Sequence, residues 1–166
     1  MARFLCAGDM MSTQLCTATA DEIVCEVVSR LRASDQRAAP VLDAAGTLVG
    51  MLHEQDALRA LLRGVDGGGG PARVGDVMQR DPVGISEDTP FLTLAHAFTA
   101  GTGLVLPVVR EGRVVGTLGR RELLDAALSL FRTAPSREAA VLYLSATDHP
   151  APAWLGTPHQ APERRR

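Results

Sequence analysis

The chain repeats itself, and this constrains its fold more than any local motif does. An offset of 67 residues carries Gly8, Asp9 and Met11 onto Gly75, Asp76 and Met78, then Asp21 onto Asp88, Leu31 onto Phe98, and Pro40-Val41 onto Pro107-Val108. One residue is lost in a turn, and an offset of 66 then carries Leu48, Val49, Gly50, Leu52 and Leu58 onto Val114, Val115, Gly116, Leu118 and Leu124. Two copies of one unit of about sixty residues are the simplest reading. A unit that small is marginal by itself, so the copies are expected to share their stability.

Within each unit the hydrophobic period switches between strand and helix. A short extended piece comes first, around Cys16 to Thr19 or Val83 to Ser86. A helix follows, with Ile23, Val24, Val27, Val28 and Leu31 on one face in the first copy and Phe91, Leu94, Ala95 and Phe98 in the second. Thr19 with Glu22 forms a capping-box pattern, and Thr89 before Pro90 reads as an N-cap followed by proline at the first helical position. Hairpins are expected from Pro40–Leu42 with Thr47–Leu52 and from Leu104–Val109 with Arg113–Leu118, because turn residues split each pair. A second helix closes each unit, with Leu58, Leu61 and Leu62, or Leu123, Leu124, Ala127, Leu128 and Phe131, as its buried stripe.

The partition that follows is a first repeat at 1–62, a glycine-rich linker at 63–73, a second repeat at 74–131 and a tail at 132–166. The linker holds Gly67 to Gly70, and no Lys-Ser/Thr follows as a phosphate-binding loop requires. The tail carries one apolar run, Ala139 to Leu144, before a proline-rich end expected to be disordered. Seventeen Lys and Arg against nineteen Asp and Glu leave a net charge of −2, which gives no electrostatic case for nucleic acid; Arg164 to Arg166 read as a solvated end. No window has the roughly 18 consecutive apolar residues of a membrane helix, and Met1 to Met11 is too short and interrupted for a signal peptide, so the expected location is cytoplasmic. Cys6, Cys16 and Cys25 lack metal-site spacing and are expected to be reduced, mostly buried thiols. An enzyme reading has only Cys16, Cys25 and His96 to offer as nucleophile and base, and no segment concentrates a catalytic constellation.

Gly75-Asp76-Val77-Met78, Asp81-Pro82-Val83, Asp88, Leu106-Pro107-Val108-Val109 and Val115-Gly116-Thr117-Leu118 together resemble a cystathionine-β-synthase (CBS) domain. The first copy is fainter but parallel, with Gly8-Asp9-Met10-Met11, Asp21, Pro40-Val41-Leu42-Asp43 and Leu48-Val49-Gly50-Met51-Leu52. The resemblance covers about residues 7 to 131 and implies an α+β fold: two βαββα repeats packed around a pseudo-twofold axis, with two clefts between them. It also implies a non-catalytic regulatory module without a cofactor, sensing a small ligand such as AMP, ADP, ATP or S-adenosylmethionine. A homodimer is expected from the apolar stripes of the closing helices, and output is expected to pass to a separate effector protein. The alternative is a ligand-free interaction module.

The family's nucleotide signature is Gly-hydrophobic-x-Ser/Thr-x-x-Asp, where a strand enters the closing helix. A carboxylate there can accept both ribose hydroxyls, and a hydroxyl at the helix start adds a donor for phosphate. The first copy reads Gly50-Met51-Leu52-His53-Glu54-Gln55-Asp56, with histidine in place of the hydroxyl. The second reads Gly116-Thr117-Leu118-Gly119-Arg120-Arg121-Glu122 and lacks the hydroxyl. The resemblance thus nominates Asp56, His53, Arg120, Arg121 and Glu122, with Ala38, Ala39 and Pro40 or Leu104, Leu106 and Pro107 forming apolar walls for an adenine ring. The competing reading is that Asp56 and Glu122 stabilise helix starts, that His53 faces solvent, and that the apolar residues are core.

Overall fold

The computed structural model describes residues 5–65, 70–102 and 105–133. In chain order the elements are α1 (Ala7–Met10), α2 (Val24–Ala33), β1 (Ala38–Leu42), β2 (Leu48–His53), α3 (Glu54–Val65), α4 (Val74–Val77), β3 (Gln79–Arg80), β4 (Ile85–Ser86), α5 (Phe91–Ala97), β5 (Leu106–Arg110), β6 (Arg113–Leu118) and α6 (Arg120–Thr133), with a π-helical turn at Phe98–Thr102. The fold is α+β, and the two copies are related by a pseudo-twofold axis. Leu104, Gly67 to Gly69 and the tail from residue 134, including Ala139 to Leu144 and Arg164 to Arg166, lie outside the described residues.

Each hairpin is closed by the turn its residues favour. Asp43 Oδ1 accepts the N–H groups of Ala45 and Thr47 at 2.9 and 2.8 Å, and Gly46 takes φ +81°. The second turn is one residue shorter and holds Glu111 and Gly112 at φ +50° and +77°, the paired left-handed geometry of a tight hairpin turn. In the first copy Ala18 bridges Val41 in parallel; in the second, β4 pairs in parallel with β5 through Ile85 and Val108.

The fourth position in each sheet is filled by the other copy. Strand β3 follows α4 in the second repeat, yet pairs with β2 through Gly50–Arg80 and Met51–Gln79. Reciprocally, Ser12 of the first repeat bridges Thr117 on β6, with N–H to O distances of 2.8 and 2.9 Å. The short helices cross over with these strands. Ala7 and Gly8 donate to Thr89 and Glu87, while Val74 and Gly75 donate to Glu22 and Ala20. Ala7 and Val74, both 0% exposed, are therefore buried in each other's halves: Ala7 packs with Ile85, Leu94, Val108 and Leu118, and Val74 with Val27, Leu31, Val41 and Leu52. Repeat boundaries in the sequence are not boundaries between cores, and a separated copy would lose one wall of its own core.

Several local expectations are corrected. Helix α2 starts at Val24, a turn beyond the Thr19–Glu22 pattern; the Thr19 N–H still donates to Glu22 at 2.7 Å, but the Val24 N–H is taken by Ala72 of the linker. Pro90 is itself the N-cap of α5, not its first helical residue. On the closing helices the buried positions are Ala57, Ala60 and Leu123, with Leu61, Ala126, Ala127 and Leu130 half-buried. Leu58, Leu62, Leu124, Leu128 and Phe131 are 52–69% exposed, because the inner side of α3 is formed by Ala57 and Ala60 and that of α6 by Leu123 with Ala126, Ala127 and Leu130. The thiols are free but not buried: Cys6 and Cys16 are half-buried, and Cys25 is exposed, one position off the Val24–Val27–Leu31 stripe.

Candidate functional site

The two strand-to-helix junctions are superimposable in sequence but chemically different. At the first, β2 ends on His53 and α3 begins on Glu54, which places Asp56 third in the helix. The Glu54 N–H donates to the Arg37 carbonyl at 3.0 Å, which ties the helix start to the entry of β1. Ala38 lies opposite His53 in the ladder, and Ala38, Ala39 and Pro40 are all buried. Asp56 is half-buried and its Oδ1 accepts from Arg59 at 3.0 Å.

His53 does not face solvent as the capping reading expects. It is 5% exposed because it is the last residue of a covered strand, not a residue of the helix surface. Its side chain hydrogen-bonds with Gln79 on β3, the strand supplied by the other copy. Burial pushes the imidazole pKa below its ordinary 6.5, against smaller upward effects of the Asp56 carboxylate and Gln79. A base whose folded pKa is depressed is neutral in both states above 6.5, and the unfolded chain binds the proton first as pH falls. Native stability should thus be full above pH 6.5 and decline below it. Urea midpoints at pH 7.5 and 5.5 should show this loss, and His53→Gln should shrink it; equal slopes in both proteins would refute it.

At the second junction Gly119 precedes α6 and its N–H donates to Glu122 Oε2 at 2.8 Å, a capping interaction from the third helical residue. Leu106 and Pro107 pair with Leu118 and Thr117; Pro107 is buried and Leu106 half-buried. Arg120 and Arg121 are exposed on the first turn, where an anion is favoured by free N–H groups and the helix dipole. Arg121 Nη1 reaches Asp35 Oδ2 at 2.6 Å, across to the α2–β1 turn of the first copy.

The structure thus gathers His53, Asp56 and the buried β1 wall at one junction, and Arg120, Arg121, Glu122, Leu106 and Pro107 at the other. Sequence reasoning missed Gln79 and Asp35. Both act through the other copy, and neither carries a local motif. Of the groups considered for catalysis, Cys16 is half-buried against the core that α2 packs into, Cys25 is exposed on α2, and His96 is exposed on α5, which packs into the other core. Among the described residues no group of three or more His, Cys, Asp or Glu is placed to hold a metal ion, and no helix is long and apolar enough to cross a membrane.

The CBS domain family matches residues 7–63 and again residues 74–129. No curated protein matches the chain. Among solved structures, CBSX2 in complex with AMP is 27% identical at a TM-score of 0.65, over 76% of this chain and 98% of that one. CBSX2 from Arabidopsis thaliana, a CBS-pair protein, is 25% identical at a TM-score of 0.66, over 80% and 100%. The CBS domain pair of protein MJ0100, in complex with 5′-methylthioadenosine and S-adenosyl-L-methionine, is 22% identical at 0.67, over 76% and 98%, a likeness of fold.

Proposed function

Since the chain belongs to the CBS-domain family and carries two copies of that domain, we propose that it is a regulatory module that binds an adenine nucleotide or related adenosyl ligand in a cleft between the copies. The observation that carries this reading is the likeness, over nearly the whole of the relative, to a CBS pair complexed with AMP. The assigned roles are ribose binding by Asp56, phosphate binding by Arg121 or Arg120, and adenine packing against Ala38 to Pro40 or Leu106 and Pro107. Thermal-shift titration with AMP, ADP, ATP and S-adenosylmethionine should raise the melting temperature for at least one, since a ligand at a hundred times its Kd adds about 2.7 kcal/mol. No shift with any of them at millimolar concentration overturns the reading.

Asp56 offers a sharper test. If it accepts two ribose hydroxyls, Asp56→Ala removes charge-assisted hydrogen bonds worth roughly 1.5 to 3 kcal/mol each, and affinity should fall at least tenfold in calorimetry. Unliganded stability should fall by less than about 1 kcal/mol, because the Asp56–Arg59 pair is a partly exposed contact within one helix. Unchanged affinity would remove Asp56 from the site.

The module is further proposed to act as a homodimer through α3 and α6, in the cytoplasm, on a separate effector protein. The apolar residues Leu58, Leu62 and Val65 are 57, 55 and 83% exposed, and their repeat equivalents Leu124, Leu128 and Phe131 are 58, 52 and 69% exposed. Two observations favour a second reading, a ligand-free interaction module: Glu122 is engaged by Gly119, and His53 is buried where the family has a hydroxyl. Recovery of one stoichiometric partner equally well with and without nucleotide would select it.

A further inference from the structure

Asp35 is an anomalous residue for its position. It follows the last turn of α2 at φ +53°, in a turn closed by Gln36 N–H to Leu31 O at 2.9 Å and Asp35 N–H to Arg32 O at 3.4 Å. That left-handed site after a helix normally takes glycine, and a side chain there carries a steric penalty, smaller for Asp and Asn than for others. Its charge is also unfavourable there, because the carbonyl end of a helix repels an anion. Two local terms therefore oppose an aspartate here. The contact that the structure supplies to its carboxylate is Arg121, at 2.6 Å on the other copy, in a pair whose side chains are both largely exposed. Arg121 in turn holds the Asp35 carboxyl below its usual range, and Arg37 adds to this.

The pair lies where the proposed ligand would bring its charge. Arg121 is second in α6, at the end of β6, and Glu122 and Asp125 are the other carboxylates near it. The Gly119 N–H is already taken by Glu122, so the arginines add to the remaining first-turn N–H groups as the attraction for an anion at this helix start. Among the described residues the ion pairs Arg30–Glu22, Arg59–Asp56 and Arg110–Glu87 each stay within one copy. By the repeat offsets, Arg121 corresponds to Gln55 and Asp35 to Thr102, so the same pair cannot form at the first junction.

We propose that Asp35 is a specificity-determining residue of the second cleft: its carboxylate competes with ligand phosphate for Arg121, and so biases this cleft against phosphorylated adenosyl ligands relative to unphosphorylated ones. This rests on the nucleotide reading above. An anion displaces Asp35 from Arg121, and that displacement also releases a contact between the two copies. At the first junction the equivalent positions, Gln55 and Thr102, hold no charged pair.

Calorimetric titration of the full chain with ATP, AMP and adenosine tests this, using Asp35→Asn, Arg121→Gln and the double variant. Asparagine tolerates the left-handed conformation as aspartate does, so the fold is retained and only the charge is lost. Asp35→Asn should tighten ATP about two- to fivefold at low ionic strength, the range an exposed ion pair can supply, with a smaller gain for AMP and none for adenosine. The gain should shrink in high salt and vanish in the Arg121→Gln background. ATP binding that Asp35→Asn leaves unchanged, or an equal change for ATP and adenosine, overturns the competition while leaving the nucleotide reading intact. A wild-type protein that binds none of the three overturns the nucleotide reading, and the competition with it.

Discussion

Valine in place of Gly116 should cost about 3 kcal/mol of folding stability, read as a large drop in the urea midpoint at unchanged slope. A Cβ on Gly116 would lie 2.5 Å from Met11 Sδ, 2.8 Å from Met11 Cγ and 2.9 Å from the Ser12 carbonyl oxygen. The methionine can rotate away, but the carbonyl belongs to the backbone that bridges Thr117, so relief requires the crossed-over segment to lift from β6. A Cβ on Gly50, its repeat equivalent, would collide with Met78 Sδ and lie 3.0 Å from the Gln79 carbonyl oxygen, and Gly50→Val should behave alike but more mildly. Pairing Gly116→Ala with Met11→Ala should recover part of the loss, since the two residues share one space. A control at Gly64, where a Cβ meets nothing within 4 Å, should be nearly neutral. A Gly116→Val protein as stable as wild type would mean that the crossover does not clamp this glycine.

The second large effect concerns association. Leu62→Asp with Leu128→Asp should convert the proposed homodimer to a monomer at micromolar concentration. Both leucines are about half exposed, at 55 and 52%. Burying the exposed half of a leucine is worth roughly 1 kcal/mol, and an isologous interface counts each residue twice. The four lost contacts amount to about 4 kcal/mol, close to a thousandfold in the dimer dissociation constant. Both positions face outward and leave the two cores untouched, so the variant's unfolding transition should remain cooperative. Sedimentation that shows a wild-type monomer refutes the dimer. If removal of the chain beyond Thr133 then produces a dimer, the tail, with its apolar run Ala139 to Leu144, is what covered the face.

Features that depend on residues near one another in the chain are legible before any fold is known. The doubled motif established the family architecture. Periodicity placed Val24, Val27 and Leu31, and likewise Phe91, Leu94 and Phe98, on buried faces. Asp43 to Gly46 and Glu111-Gly112 specified their hairpin turns, and Glu122 three residues after Gly119 specified a helix start. These are local encodings, in which spacing, capping chemistry and tolerance of positive φ act within a few residues.

What the crossover imposes follows from contacts between residues distant in the chain. Periodicity marks Leu58, Leu62, Leu124 and Leu128 as an apolar stripe but cannot say which neighbour covers it; the inner side is filled instead by Ala57 and Ala60 on α3 and by Leu123 on α6. Nor can spacing show that β3 seals His53 into the first half through Gln79, or that Gly50 and Gly116 are required by a methionine of the opposite copy. Asp35 carries no motif, and its meaning arises from Arg121, 86 residues away in the chain and 2.6 Å away in space. The physical reason is common to all three. Burial, close packing and charge pairing depend on which surfaces meet, and in this chain the surfaces that meet belong to different copies.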